Sequence, residues 1–388
     1  ISVLIFLAGL YLFHKVTGQK DQIMSLAIPL TILWGTLIEF KAYGGVLVLG
    51  ALGLVTLLEL LKRNLPILVI SLPIFILSLL IFLPSNIGGA SLFVFQPFWL
   101  IHSMVDSTDR LGWLRLSLAR MAGAESGNWF KFLAAEVVGL LIFFAGNLGT
   151  RVVGLVAIKN LMPLNSFNTF VVIFIVLSLI LPLTFVQKGT GWNPVQFLYY
   201  LLIVMNFLAA ASLATLIKRL KIFGVLITGL LILLMIPTTW DTLGQYLPAR
   251  APSRISNAEL EALDFLKSEP HGIVLSYPFD NRLKPRYEEP KPLFAYDSTA
   301  YVSALGGKSE YIADTVNLDI LGIDYKGRLQ AQKDILAAKE PEVVNRLLKE
   351  NNIKFIYVPK IAHFDPDQQR FNLKRVFSND EAEVFEVK

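Results

Sequence analysis

Residues 222–240, IFGVLITGLLILLMIPTTW, hold no charged side chain, and they lie between the basic cluster KRLK at 218–221 and a polar stretch that begins at Asp241. An apolar run of about 18 residues or more suits a helix crossing about 30 Å of hydrocarbon, where every backbone N–H and C=O must be satisfied inside the segment. Comparable runs fill the first 247 residues. They predict eight apolar helices, at about 1–14, 23–38, 43–61, 66–84, 130–158, 167–184, 195–217 and 222–238. The first is short, since thirteen helical residues rise only about 20 Å. We therefore expect the chain to be the C-terminal part of a longer protein. A signal peptide is the competing reading, but no basic stretch precedes the run and no small-residue cleavage site follows it.

Composition divides the chain in two. Hydrophobic residues make up 54% and charged residues 17%, where a soluble domain carries roughly a quarter charged. The net charge of +5 splits into about +7 for residues 1–247 and about −2 for the polar remainder. Placing KRLK in the cytoplasm and alternating backwards puts His14, Lys15 and Lys20 inside, then Lys62 and Arg63, then Arg151 and Lys159. Glu39, Lys41 and Lys188 fall outside. All the basic clusters agree with one orientation. The predicted fold class is a polytopic α-helical membrane protein with a C-terminal extracytoplasmic α/β domain over 250–388, and Trp240 and Tyr246 suit the headgroup layer. The basic residues sit at helix ends, so the pI of about 9.1 gives no argument for nucleic acid. There is no cysteine, which excludes disulfides, thiolate metal sites and a thiol nucleophile. His14, His102, His271 and His363 are too scattered to suggest zinc. Pro29, Pro73 and Pro182 lie inside spans, where a bundle tolerates them when neighbours supply partners.

The external loop 85–129 contains LFVFQPFWLIHSMV, too short and too interrupted by Pro97 to span, which predicts an interfacial or re-entrant segment. The following DSTDRLGWLRLSLARM places Leu111, Leu114, Leu118 and Met121 at helical spacing, with Arg110, Ser117 and Arg120 on another face. That pattern predicts an in-plane amphipathic helix capped by Asp106 or Ser107. Arg110, Arg115 and Arg120 are candidates for a lipid phosphate, because a guanidinium fork matches phosphate oxygens; nonspecific headgroup contact is the plainer reading. His102 and Asp106, four apart, share one helical face and form a candidate acid–base pair, with a structural pair as the alternative. Glu39 and Lys41 flank a tight turn near the outer face and either serve a function or pair with each other. Glu136, early in its helix, faces a cavity or snorkels to the headgroups.

Beyond the linker APSRIS, helix and strand alternate. NAELEALDFLKS reads as a helix capped by Asn257, GIVLSYP as a buried strand, STAYVSALGG as a helix closed by Gly306, and KSEYIAD as a strand. EPEVVNRLLKENN is a helix opened by Pro341, IKFIYVP an apolar strand, and LKRVFSNDEAEVFEVK a pair of strands about SNDE. Asp280, Asp314, Asp319 and Asp324 read as turn-formers. Neither GGA at 88–90 nor GG at 306–307 has the context of a phosphate loop, and no Gly-x-Ser-x-Gly or HExxH occurs.

Several segments carry a resemblance. TFVQKGTGWNPVQFLYYLLIVMNFLAAASLATL at 184–216 and FKAYGGVLVLGALGLVTLLELLKR at 40–63 resemble helices of the GT-C superfamily of membrane glycosyltransferases. TAYVSALGGKSEYIAD and LLKENNIKFIYVP resemble pieces of the external domain of such proteins. The resemblance implies a sugar donor linked to polyprenyl phosphate, an acceptor on the extracytoplasmic side, inversion at the sugar and often a divalent metal. It also implies an acidic motif in the first external loop, to which nothing in this chain matches, so no catalytic residue and no cofactor is carried over. The contrasting expectation is a non-catalytic membrane protein whose outer domain binds a cell-envelope partner. A transporter is disfavoured by the scarcity of charges in the spans.

Overall fold

The computed structural model describes residues 1–18, 23–85, 93–187, 191–247, 250–362, 364 and 366–388. Lys20, the GGA motif, Lys188 and His363 lie outside the described residues. The chain forms two compact units, Ile1–Trp240 and Asp241–Lys388.

The first unit contains α1 (Ser2–Gly18), α2 (Ile23–Phe40), α3 (Ala42–Leu61), α4 (Ile67–Ser85), β1 (Phe93–Phe95), α5 (Trp99–Asp106), α6 (Leu114–Glu125), α7 (Trp129–Leu148), α8 (Ser166–Thr184), β2 (Phe185–Gln187), α9 (Gln196–Leu220) and α10 (Ile222–Leu233). Among the described residues six helical stretches are long and apolar enough to cross a membrane: 23–40, 42–61, 67–84, 129–161, 166–184 and 193–220. Their outward faces stay apolar, with Ile28, Leu80, Phe130 and Phe207 exposed, as lipid requires and water penalises. Inside, aromatic rings interlock. Trp34 stacks on Phe170 at 5.0 Å and Phe6 on Phe174 at 4.9 Å between centroids. Gly9 allows α1 to lie against the Trp34 indole, since a Cβ there would overlap its Nε1.

Three expected helices differ in extent. The first continues to Gly18. The one expected over 130–158 is α-helical to Leu148, turns at Gly149 (φ 53°), and runs on as a tighter 3-10 coil over Gly149–Leu161. That coil packs closely on α9, because a Cβ on Gly154 would lie 2.9 Å from Ala209 N and 3.0 Å from Met205 O. The helix expected over 222–238 stops at Leu233, ahead of Pro237, which opens α11 (Ile236–Tyr246) from its first turn. Proline tolerates a first turn and disfavours helical backbone in the residue before it.

Contacts sort the loops into two groups. Tyr43 Oη donates to Gln187 Oε1 at 2.6 Å, β1 pairs antiparallel with β2, and Phe98 N donates to Leu183 O at 2.7 Å. These join three segments that the charge pattern assigns to one side. His14 packs edge-on against Phe167 at 4.6 Å, joining two assigned to the other.

The second unit contains β3 (Ser253–Arg254), α12 (Asn257–Ser268), β4 (Ile273–Ser276), β5 (Lys291–Pro292), α13 (Leu293–Tyr296), α14 (Tyr301–Gly306), β6 (Ser309–Glu310), α15 (Thr315–Ile320), α16 (Lys326–Ala337), α17 (Pro341–Glu350), β7 (Ile353–Pro359), β8 (Leu373–Ser378) and β9 (Ala382–Val387). The main sheet runs β6-β4-β7-β9-β8, parallel across the first three and antiparallel beyond. Both faces are covered. Phe355, Tyr357 and Val384 pack with Leu263, Leu266 and Val302 from α12 and α14. Ile356, Val358 and Phe385 pack on the other face with Ile335, Val344 and Leu348 from α16 and α17. A strand buried on both faces needs a near-continuous apolar run, and IKFIYVP is one, interrupted only at the half-buried Lys354. The cap of α12 is Ser256, whose Oγ accepts from Glu259 N at 3.0 Å, in place of the expected Asn257. Gly307 (φ 61°) closes α14.

Candidate functional site

The loop expected to be interfacial becomes β1, a turn and α5, held to the bundle by the β1–β2 ladder. Phe98, immediately before α5, takes a left-handed backbone (φ 62°), which costs a non-glycine residue about 1 kcal/mol and is maintained by its surroundings. Gln96 N and Phe98 N both donate to the end of α8, to Thr184 O and Leu183 O at 2.7 Å each. This fixes where α5 begins and so where its polar side chains point.

His102 does not pair with Asp106. Its Nε2 lies 2.8 Å from Glu136 Oε1 on α7, and Gly139 lets the two helices close, since a Cβ there would meet Ile101 at 3.0 Å. Glu136 is only 7% exposed and its Oε2 has no hydrogen-bond partner. Glu136, expected to face a cavity or to snorkel to the headgroups, is instead buried against His102. One turn before His102, Trp99 is buried with its Nε1 also unpartnered. When Nε2 donates to Glu136, Nδ1 is left as the acceptor, so the carboxylate both orients the ring and selects its tautomer.

Asp106 ends α5 and does not cap α6. Its Oδ2 accepts from Arg120 Nη2 at 2.9 Å and its Oδ1 from the buried Ser117 hydroxyl. The amphipathic helix itself forms over Leu114–Glu125, later than its expected cap, with Leu114, Leu118 and Met121 outward. The three arginines have separate fates. Arg110 precedes α6 and lays its guanidinium 3.3 Å from the ring centroid of Trp192, which meets Trp99 edge-on at 5.6 Å. Arg115 is exposed on α6. Arg120 is committed to Asp106. Glu39 is exposed; the Lys41 amine stands 5.9 Å over the Tyr43 ring, and no ion pair joins the two among the described residues.

The structure therefore gathers Arg110, Trp192, Trp99, His102 and Glu136 on neighbouring turns, with Asp106 and Arg120 bracing α5 against α6. Among the described residues no three His, Asp or Glu side chains converge to hold a metal ion. At the opposite group of loops, Glu59 is buried and accepts from Lys62 Nζ at 3.1 Å and Asn64 Nδ2 at 2.6 Å. Sequence reading did not single it out; a lone acid inside an apolar run was the available signal.

With this geometry in hand, no family model matches the chain and no curated protein matches it. What fold and site define is a class: a helical unit with membrane-spanning capacity, joined to a mixed α/β unit.

Proposed function

We propose that the chain supplies the donor end and the outer unit of a membrane sugar transferase that uses a lipid-phosphate-linked donor, with residues 250–388 on the extracytoplasmic side. The observation that carries this reading is the cluster at one end of the helical unit, where Arg110 on Trp192, Trp99 and the His102–Glu136 pair lie on neighbouring turns, with Arg115 exposed on the adjoining α6. In the proposed reaction the acceptor hydroxyl forms a bond to the anomeric carbon as the bond to the lipid phosphate breaks. The electron pair leaves with the phosphate. Arg110 and Arg115 offset the developing charge there. The hydroxyl's proton passes to a carboxylate that the resemblance places in an external loop with no counterpart among the matched segments.

The test is charge reversal in the full-length protein. Arg110→Glu with Arg115→Glu should abolish transfer from a polyprenyl-phosphate sugar while the protein remains monodisperse in detergent with an unchanged melting temperature. Transfer at the unmodified rate would reject their role. Arg120 is a poor choice for reversal, because a glutamate there would face Asp106 and disturb folding directly.

A further inference from the structure

The second unit holds a cavity of about 460 Å³ at the carboxyl ends of β4 and β6, a size within the usual range of small-ligand sites. Its position follows from strand order. The connection from β4 to β6 runs through α14 over one face of the sheet, and the connection from β6 to β7 runs through α16 and α17 over the other. Ligands of open α/β sheets bind where connections diverge in this way, beyond the carboxyl ends of the strands.

The floor of the cavity is polar and fixed. Ser276, the last residue of β4, donates its hydroxyl to Glu310 Oε1 at 2.6 Å, while Glu310 Oε2 accepts from Ser303 N at 3.0 Å. Gln332, 1% exposed, reaches from α16 to donate to Ser276 O at 2.7 Å. Part of the charge at the rim is paired internally. Asp280 holds Arg282 through two parallel contacts, Nε to Oδ1 at 2.9 Å and Nη2 to Oδ2 at 2.9 Å, so Lys333 is left as the cation without an ion pair among the described lining residues. One such amine beside four carboxylates does not make a phosphate site. The carboxylates in turn are engaged by hydroxyls, backbone N–H groups or Arg282, and they do not converge on a cation. What remains to meet a ligand is a set of hydroxyls, including Thr299 and Tyr277, with the apolar rings of Phe279 and Phe294 beside them.

Surplus carboxylates in the lining turn away an anion, and they do not converge on a metal ion, so a neutral ligand that both donates and accepts hydrogen bonds and offers an apolar face suits it. We propose that the cavity binds a neutral saccharide unit, with the hydroxyls of Thr299 and Tyr277 meeting its hydroxyls above the fixed floor of Ser276, Glu310 and Gln332, and the phenyl rings receiving its C–H face. The inference stands on the second unit alone and does not depend on the transfer reaction or on Arg110 and Arg115.

The experiment is saturation-transfer NMR on the full chain in a phosphocholine detergent, since a glycoside detergent would compete. The probes are the methyl glycosides of glucose, galactose, mannose and N-acetylglucosamine, together with cellobiose and inorganic phosphate. At least one glycoside should show saturable binding that phosphate does not displace. Thr299→Trp at the exposed rim should weaken it tenfold or more, about 1.4 kcal/mol, with Lys333→Trp as an independent block on α16. Arg115→Glu in the other unit should leave it unchanged, which separates this proposal from the transferase reading. Exchange protection of β4 and β7 reports whether each variant is folded. Absence of saturable glycoside binding would overturn the proposal, as would displacement by phosphate or undiminished binding in both folded rim variants.

Discussion

A carboxylate with one satisfied oxygen and one orphaned oxygen sits poorly in an apolar surround, and Glu136 is in that position. Its bond to His102 offsets part of the cost of burial. Glu136→Ala would remove the acceptor, leaving His102 without its partner and a void under α5; the expected loss is about 1–3 kcal/mol, read as a lower midpoint for thermal unfolding in detergent. In the second unit Glu259 is the counterpart. Its Oε1 accepts from Tyr301 Oη at 2.9 Å and Tyr357 Oη at 3.0 Å. Burial pushes its carboxyl above the ordinary range, against the opposing pull of the two tyrosines, with the Glu381 charge adding to the rise. A carboxyl raised in this way binds its proton more tightly folded than unfolded, so its contribution is complete below the ordinary carboxylate range and is lost as pH rises through the raised value. Glu259→Gln keeps an acceptor and cannot ionise. Exchange protection of β4 and β7, compared at matched pH, should therefore be equal in acid and greater in the variant towards neutral pH. Residue chemistry was legible in the sequence here only in part. His102 and Asp106 do lie on one short helix, as their spacing requires, but their partners are set by α6 and α7 packing against α5, and Glu136 is 34 positions away from His102.

At the scale of elements, the sequence speaks most clearly where a single rule dominates. IKFIYVP could be read as a strand because burial on both faces leaves no polar alternation, and the SNDE turn marks the β8–β9 hairpin by its own chemistry. The 3-10 coil over Gly149–Leu161 was not readable, because Arg151 and Lys159 mark a helix end without specifying helix type, and the change of type answers to the close approach of α9. Gly154→Leu tests that account. A side chain where the nearest backbone atoms lie at 2.9 and 3.0 Å must drive the coil away from α9, so the variant should melt several degrees lower and expose Met205 to solvent oxidation. The sheet of the second unit offers a parallel case. Phe385 packs edge-on against Phe364 at 5.3 Å between centroids and is buried beneath α16 and α17, so Phe385→Ala should cost about 3–5 kcal/mol, measured as lost exchange protection in β7 and β9 and none in α2 or α3.

For the whole molecule, the decisive quantity is the sidedness of its charge. The basic residues at His14–Lys15, Lys62–Arg63, Arg151–Lys159 and Lys218–Lys221 recur after alternate spans, and moving such clusters across a bilayer is opposed by the bias that retains Lys and Arg in the cytosol. Alternation predicts which loops share a side, and the contacts of Tyr43 with Gln187 and of β1 with β2 join loops that alternation puts together. Absolute orientation can be read directly, because the chain contains no cysteine and a single introduced thiol will report alone. Ser126→Cys, between α6 and α7, and Ser268→Cys, at the end of α12, are both exposed positions, as is Asn160→Cys at the far end of the 3-10 coil. A membrane-impermeant maleimide added to intact cells should label the first two, and should reach Asn160→Cys only after permeabilisation. The reverse pattern would turn the molecule over and remove the second unit from the extracytoplasmic side. Labelling of Ser126→Cys and Asn160→Cys together in intact cells would mean that the stretch 129–161 does not cross at all, and the arrangement of spans on either side of it would have to be redrawn.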